Sequence, residues 1–298
     1  MARENANRDA QLSYKVRSGF FVPPDRFAGC FTTFYRAVLE VEDGGLVTDY
    51  FQPEWGTIRF FSGHLPSGSI GRFEVSDVRC AVTGPSSRPL KFLAGTSRTW
   101  GIGFLPLGWA RFVRAEAADL ANMVADGEQH PAFAHLTGLC EVLCDPSASD
   151  EEQFSAIVET MDAAMEPTRD DEKIRQVHHV LMDEDLSSVT DFAERSGMSA
   201  RTLERVTRRY FGFTPKLLIR RQRFMRSLVR FMLHPDKKWT DAMDGLYHDQ
   251  AQFSREFRQF MTMSPSEYAR IDHPILDSLV EARTRIWGSP AQTLDKPD

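Results

Sequence analysis

Hydrophobic residues in the first third of the chain come in short runs separated by turn signals. Between residues 20 and 115 the runs are rich in β-branched and aromatic residues, as in TIRFFSGHL (57–65) and LKFLAG (90–95). Turn sequences such as EDGG (42–45) and GPS (84–86) interrupt them. Many short strands with frequent turns are typical of antiparallel sheets. The pattern predicts an antiparallel β-barrel or β-sandwich.

Helical periodicity replaces this pattern after residue 130. One predicted helix carries an apolar stripe at Phe133, Leu136, Cys140 and Leu143. A second, over 154–165, follows an acidic start that suits the positive end of a helix dipole. Its stripe is Phe154, Ile157, Val158, Met161, Ala164 and Met165. This stripe either packs on its own domain or pairs with a second subunit, and residues 166–171, with Pro167, then predict a hinge.

From Lys173 to about Tyr268 the pattern is helical, and an amphipathic stretch follows over 275–286. The segment SSVTDFAERSGMSARTLERVTRRYFG (187–212) contains two short helices with a turn at Gly197. A short helix, a glycine turn and a second helix with an apolar seam define a helix-turn-helix unit. The second helix exposes residues of the type that reads bases or grips phosphates. They are Ala200, Arg201, Glu204, Arg205 and Arg208.

A related unit occupies 239–270, with apolar stripes on two successive stretches. The side of its second helix that faces away from the stripe carries Ala251, Gln252, Arg255 and Arg258. A glutamine amide suits adenine, and an arginine suits guanine or phosphate. Between the two units lies TPKLLIRRQRFMRSLVRFML (214–233), which predicts a connecting helix of roughly 28 Å at about 1.5 Å per residue. A rigid connector of that length sets two recognition helices in successive major grooves, which are about 34 Å apart.

Charge is divided unevenly along the chain. The 298 residues carry a net charge of −6. Residues 187–270 contain 16 Lys and Arg against nine Asp and Glu, a balance of +7, so the remainder carries −13. This split is expected when one domain contacts phosphates and another does not.

The two units and their connector resemble the AraC/XylS family of bacterial transcription regulators. The resemblance covers about 187–270 and rests on AERSGMSARTLER (193–205), Arg220, Arg221 and Arg223 of the connector, DQAQFSREFR (249–258) and SPSEY (264–268). It implies a double helix-turn-helix domain that binds double-stranded DNA. The family's base- and phosphate-facing positions fall at Arg201, Glu204, Arg205, Ala251, Gln252 and Arg255. We add Arg208 to this predicted set because it shares the exposed face of the first unit.

The second unit departs from the family pattern. Leu246 stands where the family has its turn glycine, with Gly245 one place early, and the usually apolar places 238 and 241 hold Lys238 and Asp241. The second unit is therefore expected to sit differently or to contribute mainly phosphate contacts. Upstream, GIGFLPLGWARFV (101–113) resembles the β-barrel sensor modules, often cupin-like, of some family members. Such modules imply a small-molecule effector or a partner, and control of dimerisation.

Enzyme classes find little support in the sequence. His64 stands alone in the β-rich region, and no His-x-His, G-x-S-x-G or P-loop pattern occurs, so we predict no metal, no cofactor and no enzyme activity. Cys140 and Cys144 share a helix face and suit either buried packing or, as a functional alternative, a redox pair or half of a metal site. DNA alkylation repair needs a reactive cysteine among clustered cysteines, whereas Cys30 and Cys80 are isolated in sequence. The main alternative is a helical interaction protein whose basic face binds an acidic protein.

The sequence thus predicts an α+β multidomain chain. A β-rich effector-binding and dimerisation domain is assigned to 1–167, with an apolar pocket lined partly by Trp55, Phe60, Phe104 and Trp109 unless these are simply core. An all-α DNA-binding domain is assigned to 172–298. Without an apolar segment of about 20 residues or a secretory signal, we expect a cytoplasmic protein with no membrane contact. A second copy of this chain, forming a homodimer, and RNA polymerase are further expected partners.

Overall fold

The computed structural model describes residues 13–234 and 238–297. Its first half forms the predicted antiparallel β-structure, and short turns join most of the strands. The strands are β1 (Tyr14–Phe21), β2 (Phe31–Val41), β3 (Val47–Phe51), β4 (Thr57–Gly63), β5 (Ser67–Ile70), β6 (Phe73–Val75), β7 (Cys80–Thr83), β8 (Leu90–Ala94), β9 (Ser97–Phe104) and β10 (Val124–Asp126).

The strands form two antiparallel sheets. One has the order β1-β2-β9-β4-β7-β10 and the other the order β3-β8-β5-β6. Side chains alternate between the two faces of each strand. In β3 this alternation buries Val47, Asp49 and Phe51 and turns Thr48 and Tyr50 outward. Asp49 is therefore a carboxylate placed by register on an inward face, with none of its surface exposed.

Helices dominate the rest of the described chain. They are α1 (Pro106–Phe112), α2 (Cys140–Leu143), α3 (Asp150–Ala164), α4 (Asp171–Leu181), α5 (Val189–Arg195), α6 (Ala200–Val206), α7 (Pro215–Leu233), α8 (Trp239–Ala242), α9 (Gln250–Met261), α10 (Pro265–Tyr268) and α11 (Pro274–Trp287). The helix expected over 133–143 is a 3₁₀ helix (Ala134–Leu139) that continues into α2. In the part of the chain that the structure describes, no helix has both the length and the hydropathy to cross a bilayer.

The stripe of α3 packs on its own domain. Ile157 and Met161 are fully buried in the largest hydrophobic cluster, and Phe154, Val158 and Ala164 pack against it. The first interpretation of this stripe is therefore correct. Only Met165, at the end of the helix, is exposed.

The four aromatic residues expected around a pocket are core residues. Trp55, Phe60, Phe104 and Trp109 are each at most 1% exposed and belong to the same cluster. The pocket prediction is wrong for these side chains, since large aromatic groups on inward faces fill the space that they enclose. The cavity of this domain is lined by other residues.

The hydrophobic core passes from the sheets into the helical half. One cluster joins residues of the first sheet, α1, α3 and α4 to α5, α6 and the start of α7. A second cluster lies around α7 and α9. A third joins both sheets to α11. The predicted boundary between 167 and 172 spans the end of the irregular segment 165–170 and the first residues of α4, and stays a prediction.

Candidate DNA-binding surface

The first helix-turn-helix unit follows the sequence prediction closely. The Ser188 side chain caps α5 by accepting the backbone N–H of Asp191, and Ser199 caps α6 in the same way. Gly197 in the turn has φ of +62°, a conformation that favours glycine. Leu203 is fully buried. Local side-chain chemistry therefore fixes both helix starts and the turn between them.

Beyond Val206 the helix widens into a π-helical turn (Thr207–Phe211) that ends at Gly212, with φ of +83°. The last two arginines of the basic face, Arg208 and Arg209, lie in this turn. Arg208 donates to Glu204 at 2.7 Å, and Arg209 lies 3.7 Å from Glu116 of the β-rich half. Glu204 and Arg208, both predicted to contact DNA, thus form an ion pair with each other.

Arg205 is also engaged within the chain. Its guanidinium lies 3.3 Å from the Asp170 carboxylate, which precedes α4. The same carboxylate accepts from Lys173 at 2.8 Å and from the Tyr210 hydroxyl at 3.0 Å. These hydrogen bonds, led by that of Lys173, lower the pKa of Asp170 to about 2. Arg201 remains exposed, and among the described residues it makes no ion pair.

Asp170→Asn is expected to weaken the fold and to strengthen DNA binding. A carboxylate with a lowered pKa stabilises the fold above its ordinary value of 3.8, and this contribution disappears as pH falls through 2. Denaturation at pH 7 should show a loss on the order of 1 kcal/mol, since water screens part of the interaction. Near pH 2 the two proteins should unfold alike. In gel shifts, the release of Arg205 should raise affinity several-fold, and the exposed Asp185→Asn should change neither property.

The second unit begins with a helix of only four residues, α8. Lys238 and Asp241 are exposed there, so their polarity costs little. The turn that lacks the family glycine is organised by Asp244, which is 5% exposed. Its carboxylate accepts from the Leu246 backbone N–H at 2.9 Å and from Arg226 at 2.5 Å. A buried carboxylate thus holds this turn.

In the second recognition helix, α9, two of the three residues predicted to contact DNA are fully exposed. Asp249 caps it by accepting the Gln252 backbone N–H at 2.6 Å. Ala251 and Arg255 are exposed, and Arg255 makes no ion pair with any residue in the described ranges. The Gln252 side-chain oxygen accepts from the His248 backbone N–H at 3.1 Å, so half of its amide is already used.

Arginines of the connector α7 hold α9 in place. Glu256 is 4% exposed and accepts from Arg220 and Arg223, both at 2.7 Å, and from the Tyr247 hydroxyl at 3.0 Å. Arg220 also donates to Gln259 at 2.5 Å. The connector has 19 residues, as predicted. Its basic residues fix the orientation of the second recognition helix.

One arginine of the connector enters the contact with the β-rich half, which the sequence did not reveal. Arg221 has none of its surface exposed, and its guanidinium lies 4.0 Å from the ring centroid of Trp55. Burial lowers its pKa to about 9. Trp55 also makes edge contacts with His178 and Phe211. Burial lowers the pKa of His178 to about 3, so this imidazole is neutral.

Three cysteines lie together, because the Cys140 thiol is within hydrogen-bonding reach of both Cys144 and Cys80. The hydrogen bond with Cys144 lowers the pKa of Cys140, but the hydrogen bond with Cys80 and burial raise it, to about 12. Cys30, Cys80 and Cys140 are buried, and burial raises the pKa of the Cys30 thiol. Reactive cysteines need the thiolate, which such an environment disfavours. In residues 13–234 and 238–297, His, Cys, Asp and Glu form no group of three placed to hold a metal ion.

Comparisons with known proteins agree with the geometry of the second half. Residues 192–271 match a family described as "Helix-turn-helix domain". Solved structures with low overall similarity include ToxT from Vibrio cholerae. Its TM-score is 0.43 and its sequence identity 10%, and the alignment covers 86% of this chain and 98% of that chain. A ToxT structure with a bound unsaturated fatty acid has TM-score 0.39, 12% identity and coverage of 90% and 97%.

The AraC-like transcriptional activator CuxR has TM-score 0.24, 15% identity and coverage of 72% and 86%. The comparison with curated proteins gives no match. The domain match covers both capped units and the connector between them. The family match and the geometry of the two capped units therefore agree that residues 192–271 are a helix-turn-helix domain.

Proposed function

We propose that this chain is a sequence-specific, non-enzymatic transcription regulator that places α6 and α9 in successive major grooves of double-stranded DNA. The observation that supports it most directly is the pair Arg201 and Arg255. Each is exposed on a recognition helix without an ion pair among the described residues, and the 19-residue α7 connects the two units. Arginine forks at such positions bind guanine or phosphate.

Ion pairing divides the predicted DNA-binding residues into two groups. Arg201, Ala251 and Arg255 are available in this arrangement. The other four must first give up internal partners: Arg205 pairs with Asp170, and Arg208 and Glu204 pair with each other. The Gln252 side-chain oxygen accepts from the His248 backbone N–H. DNA binding in this proposal therefore includes an exchange of internal carboxylates for phosphates or base edges.

The β-rich domain is the sensor in this proposal. It contacts the first unit through Trp55 and α11 through β1 and β3, so a signal in the sheets has two routes to the DNA-binding half. The regulator works in the cytoplasm, where free thiols persist. It acts with a small-molecule effector, as a homodimer through a surface other than the α3 stripe, and with RNA polymerase as a further partner.

Selection of duplexes from a random DNA library by the full chain, followed by gel shifts, tests this function. We expect a defined sequence to survive nonspecific competitor, with affinity falling steeply as salt rises, at a slope near −0.9 per phosphate contact. If nothing is selected but an acidic protein binds with similar salt dependence, the chain is an interaction protein and the proposal is wrong.

Arg201→Ala should weaken the free energy of specific DNA binding by about 1–3 kcal/mol, because the arginine fork that contacts a base or a phosphate is lost. Arg205→Ala should lose less than Arg201→Ala, since Arg205 must break its ion pair with Asp170 in order to bind. Titrated gel shifts on the selected duplex and on a scrambled duplex measure both. Arg72→Ala, an exposed arginine of the β-rich half, is the matched control. Unchanged affinity in both α6 variants would refute the assignment of this face.

A further inference from the structure

An apolar cavity lies between the two sheets of the β-rich half. Its volume is about 80 Å³. Apolar side chains from both sheets surround it, among them Leu39 of β2, Phe61 of β4 and Leu90 of β8. Ile275 and Leu279 of α11 complete the wall. A helix that follows the helix-turn-helix domain in sequence thus covers one side of the cavity.

A buried carboxylate holds this closing helix on the sheet. Asp49 of β3 accepts the backbone N–H groups of Ile275 and Leu276, both at 2.9 Å. These are groups at the start of α11 that lack partners within the helix. Asp49 also lies 2.9 Å from Nδ1 of His273. The negative charge suits the positive end of the helix dipole, so one side chain anchors α11.

The anchor is in contact with the second helix-turn-helix unit. The His273 ring lies against the Tyr268 ring, with centroids 4.3 Å apart. Tyr268 in turn packs at 5.7 Å from Phe257 of α9 and at 6.3 Å from Trp239 of α8. A shift of α11 at its anchor therefore acts directly on the core that supports the second recognition helix.

The charged group at the cavity, Arg59, is already paired. Arg59 donates to Glu54 at 2.6 Å and to the Tyr35 hydroxyl at 2.8 Å. Its guanidinium also lies 4.7 Å from the centroid of the Phe51 ring. An anionic ligand would have to compete with Glu54 for Arg59. The lining therefore favours an uncharged, apolar molecule.

Size makes ligand entry depend on the helix. A cavity of about 150 Å³ accommodates benzene, whereas this one has about 80 Å³. Packed cores do not expand without moving an element. The sheets are held by strand pairing on many residues, while α11 contacts them from one side. Of these walls, α11 is the one that can move without breaking strand pairs.

We propose that the cavity binds an uncharged apolar small molecule, and that binding displaces α11 from β1 and β3 and thereby loosens the Asp49–His273–Tyr268 contact with the second unit. The site is the effector site of the sensor domain, so its regulatory meaning rests on the proposed function. The binding event itself does not depend on DNA.

The test uses the full chain and the neutral fluorescent probe N-phenyl-1-naphthylamine. We expect saturable binding at one site, together with at least tenfold faster amide hydrogen exchange over 275–286. Asp49→Asn weakens the anchor, and should raise probe affinity at least threefold because the open state becomes more populated. Lack of saturable binding in both proteins, or binding without faster exchange in α11, would overturn the proposal.

Variants that fill the cavity locate the probe. Ala37→Leu and Ala81→Leu add volume at two separate points of its lining, and each should weaken probe binding at least tenfold. Val38→Leu changes the neighbouring residue of β2, which does not line the cavity, and is the matched control. If both filled variants bind the probe like the control, the site is elsewhere and the proposal fails.

Competition identifies the ligand class. Decan-1-ol should displace the probe at least tenfold more effectively than decanoate, and the reverse order would overturn the uncharged class. DNA selection separates this inference from the proposed function. Probe binding with α11 displacement in a protein that selects no DNA supports the cavity proposal and contradicts the regulator. Selection of DNA by a protein that binds no probe supports the regulator and contradicts the cavity proposal.

Discussion

Glu256→Ala is expected to lower the free energy of unfolding of the second helix-turn-helix unit by about 3–5 kcal/mol, as for other buried ion pairs that lose one partner. The carboxylate is 4% exposed, and two guanidinium groups depend on it. Without it, Arg220 keeps Gln259 and Arg223 keeps the Leu246 carbonyl as acceptors, but neither keeps a counter-charge. The positive charges then repel each other in a partly buried site.

The measurement is urea denaturation followed by amide hydrogen exchange over α9, the helix that Glu256 belongs to. Glu256→Gln should lose less than Glu256→Ala, because the amide oxygen still accepts a hydrogen bond. Glu194→Ala removes an exposed acid of α5 that has no ion pair among the described residues, and should change stability by less than about 0.5 kcal/mol. Equal stability of Glu256→Ala and Glu194→Ala would show that the network does not support α9.

The same network explains why charge counted along the sequence overstates the DNA-binding surface. Residues 187–270 carry a balance of +7. In the structure, however, Arg220, Arg223 and Arg226 are paired with Glu256 and Asp244. Sequence spacing shows which face of a helix an arginine occupies, but it does not show a carboxylate that lies far along the chain. The positive charge that can meet DNA is concentrated on fewer residues than the count indicates.

Local features were predictable and long-range ones were not. The caps at Ser188, Ser199 and Asp249 depend on residues three positions away, so the sequence contains all the information. The pairing of Arg205 with Asp170 joins residues 35 positions apart. The contact of Asp49 with His273 joins residues 224 positions apart. The periodicity of hydrophobic and polar residues along the sequence does not reveal such contacts, because they arise when helices and strands pack on one another.

The cavity shows the same limit in another form. Large aromatic residues are as common in cores as in pockets, so Trp55 and Trp109 could not be assigned by type alone. The cavity wall instead combines other aromatic residues, such as Phe51 and Phe61, with small side chains, such as Ala37 and Ala81, where the sheets leave space. A void is a property of the assembled sheets. For α11, the sequence showed an apolar stripe but not the surface that it covers.

Trp55→Ala is the second prediction with a large expected effect, a loss of about 3–5 kcal/mol in the free energy of unfolding. Trp55 is 1% exposed and packs against Phe211 of the first helix-turn-helix unit and His178 of α4. Among the described residues its Nε1 has no hydrogen-bond partner, so the loss is one of packing. The void opens between the two halves of the chain, and the first unit should loosen before the rest unfolds.

Calorimetry should therefore show a separate transition at lower temperature for Trp55→Ala. Trp109→Ala is the matched control: Trp109 packs on Phe133, and its Nε1 donates to the Ala115 carbonyl, both within the β-rich half. It should lose comparable stability within that half while α6 stays attached. If both variants melt in one transition with the same loss, the contact at Trp55 does not couple the two halves.

Replacement of Arg221, which lies over Trp55, is expected to stabilise the fold. Arg221 lies over Trp55 with Nε and Nη2 lacking hydrogen-bond partners in the described ranges, and only its Nη1 donates, to the Ser86 carbonyl at 3.0 Å. A buried charge with so few partners costs more than the ring attraction returns. Arg221→Met should raise the free energy of unfolding by about 1–3 kcal/mol, as when buried charges are replaced by apolar groups. The contact between the halves thus combines strong apolar packing with an unfavourable buried charge.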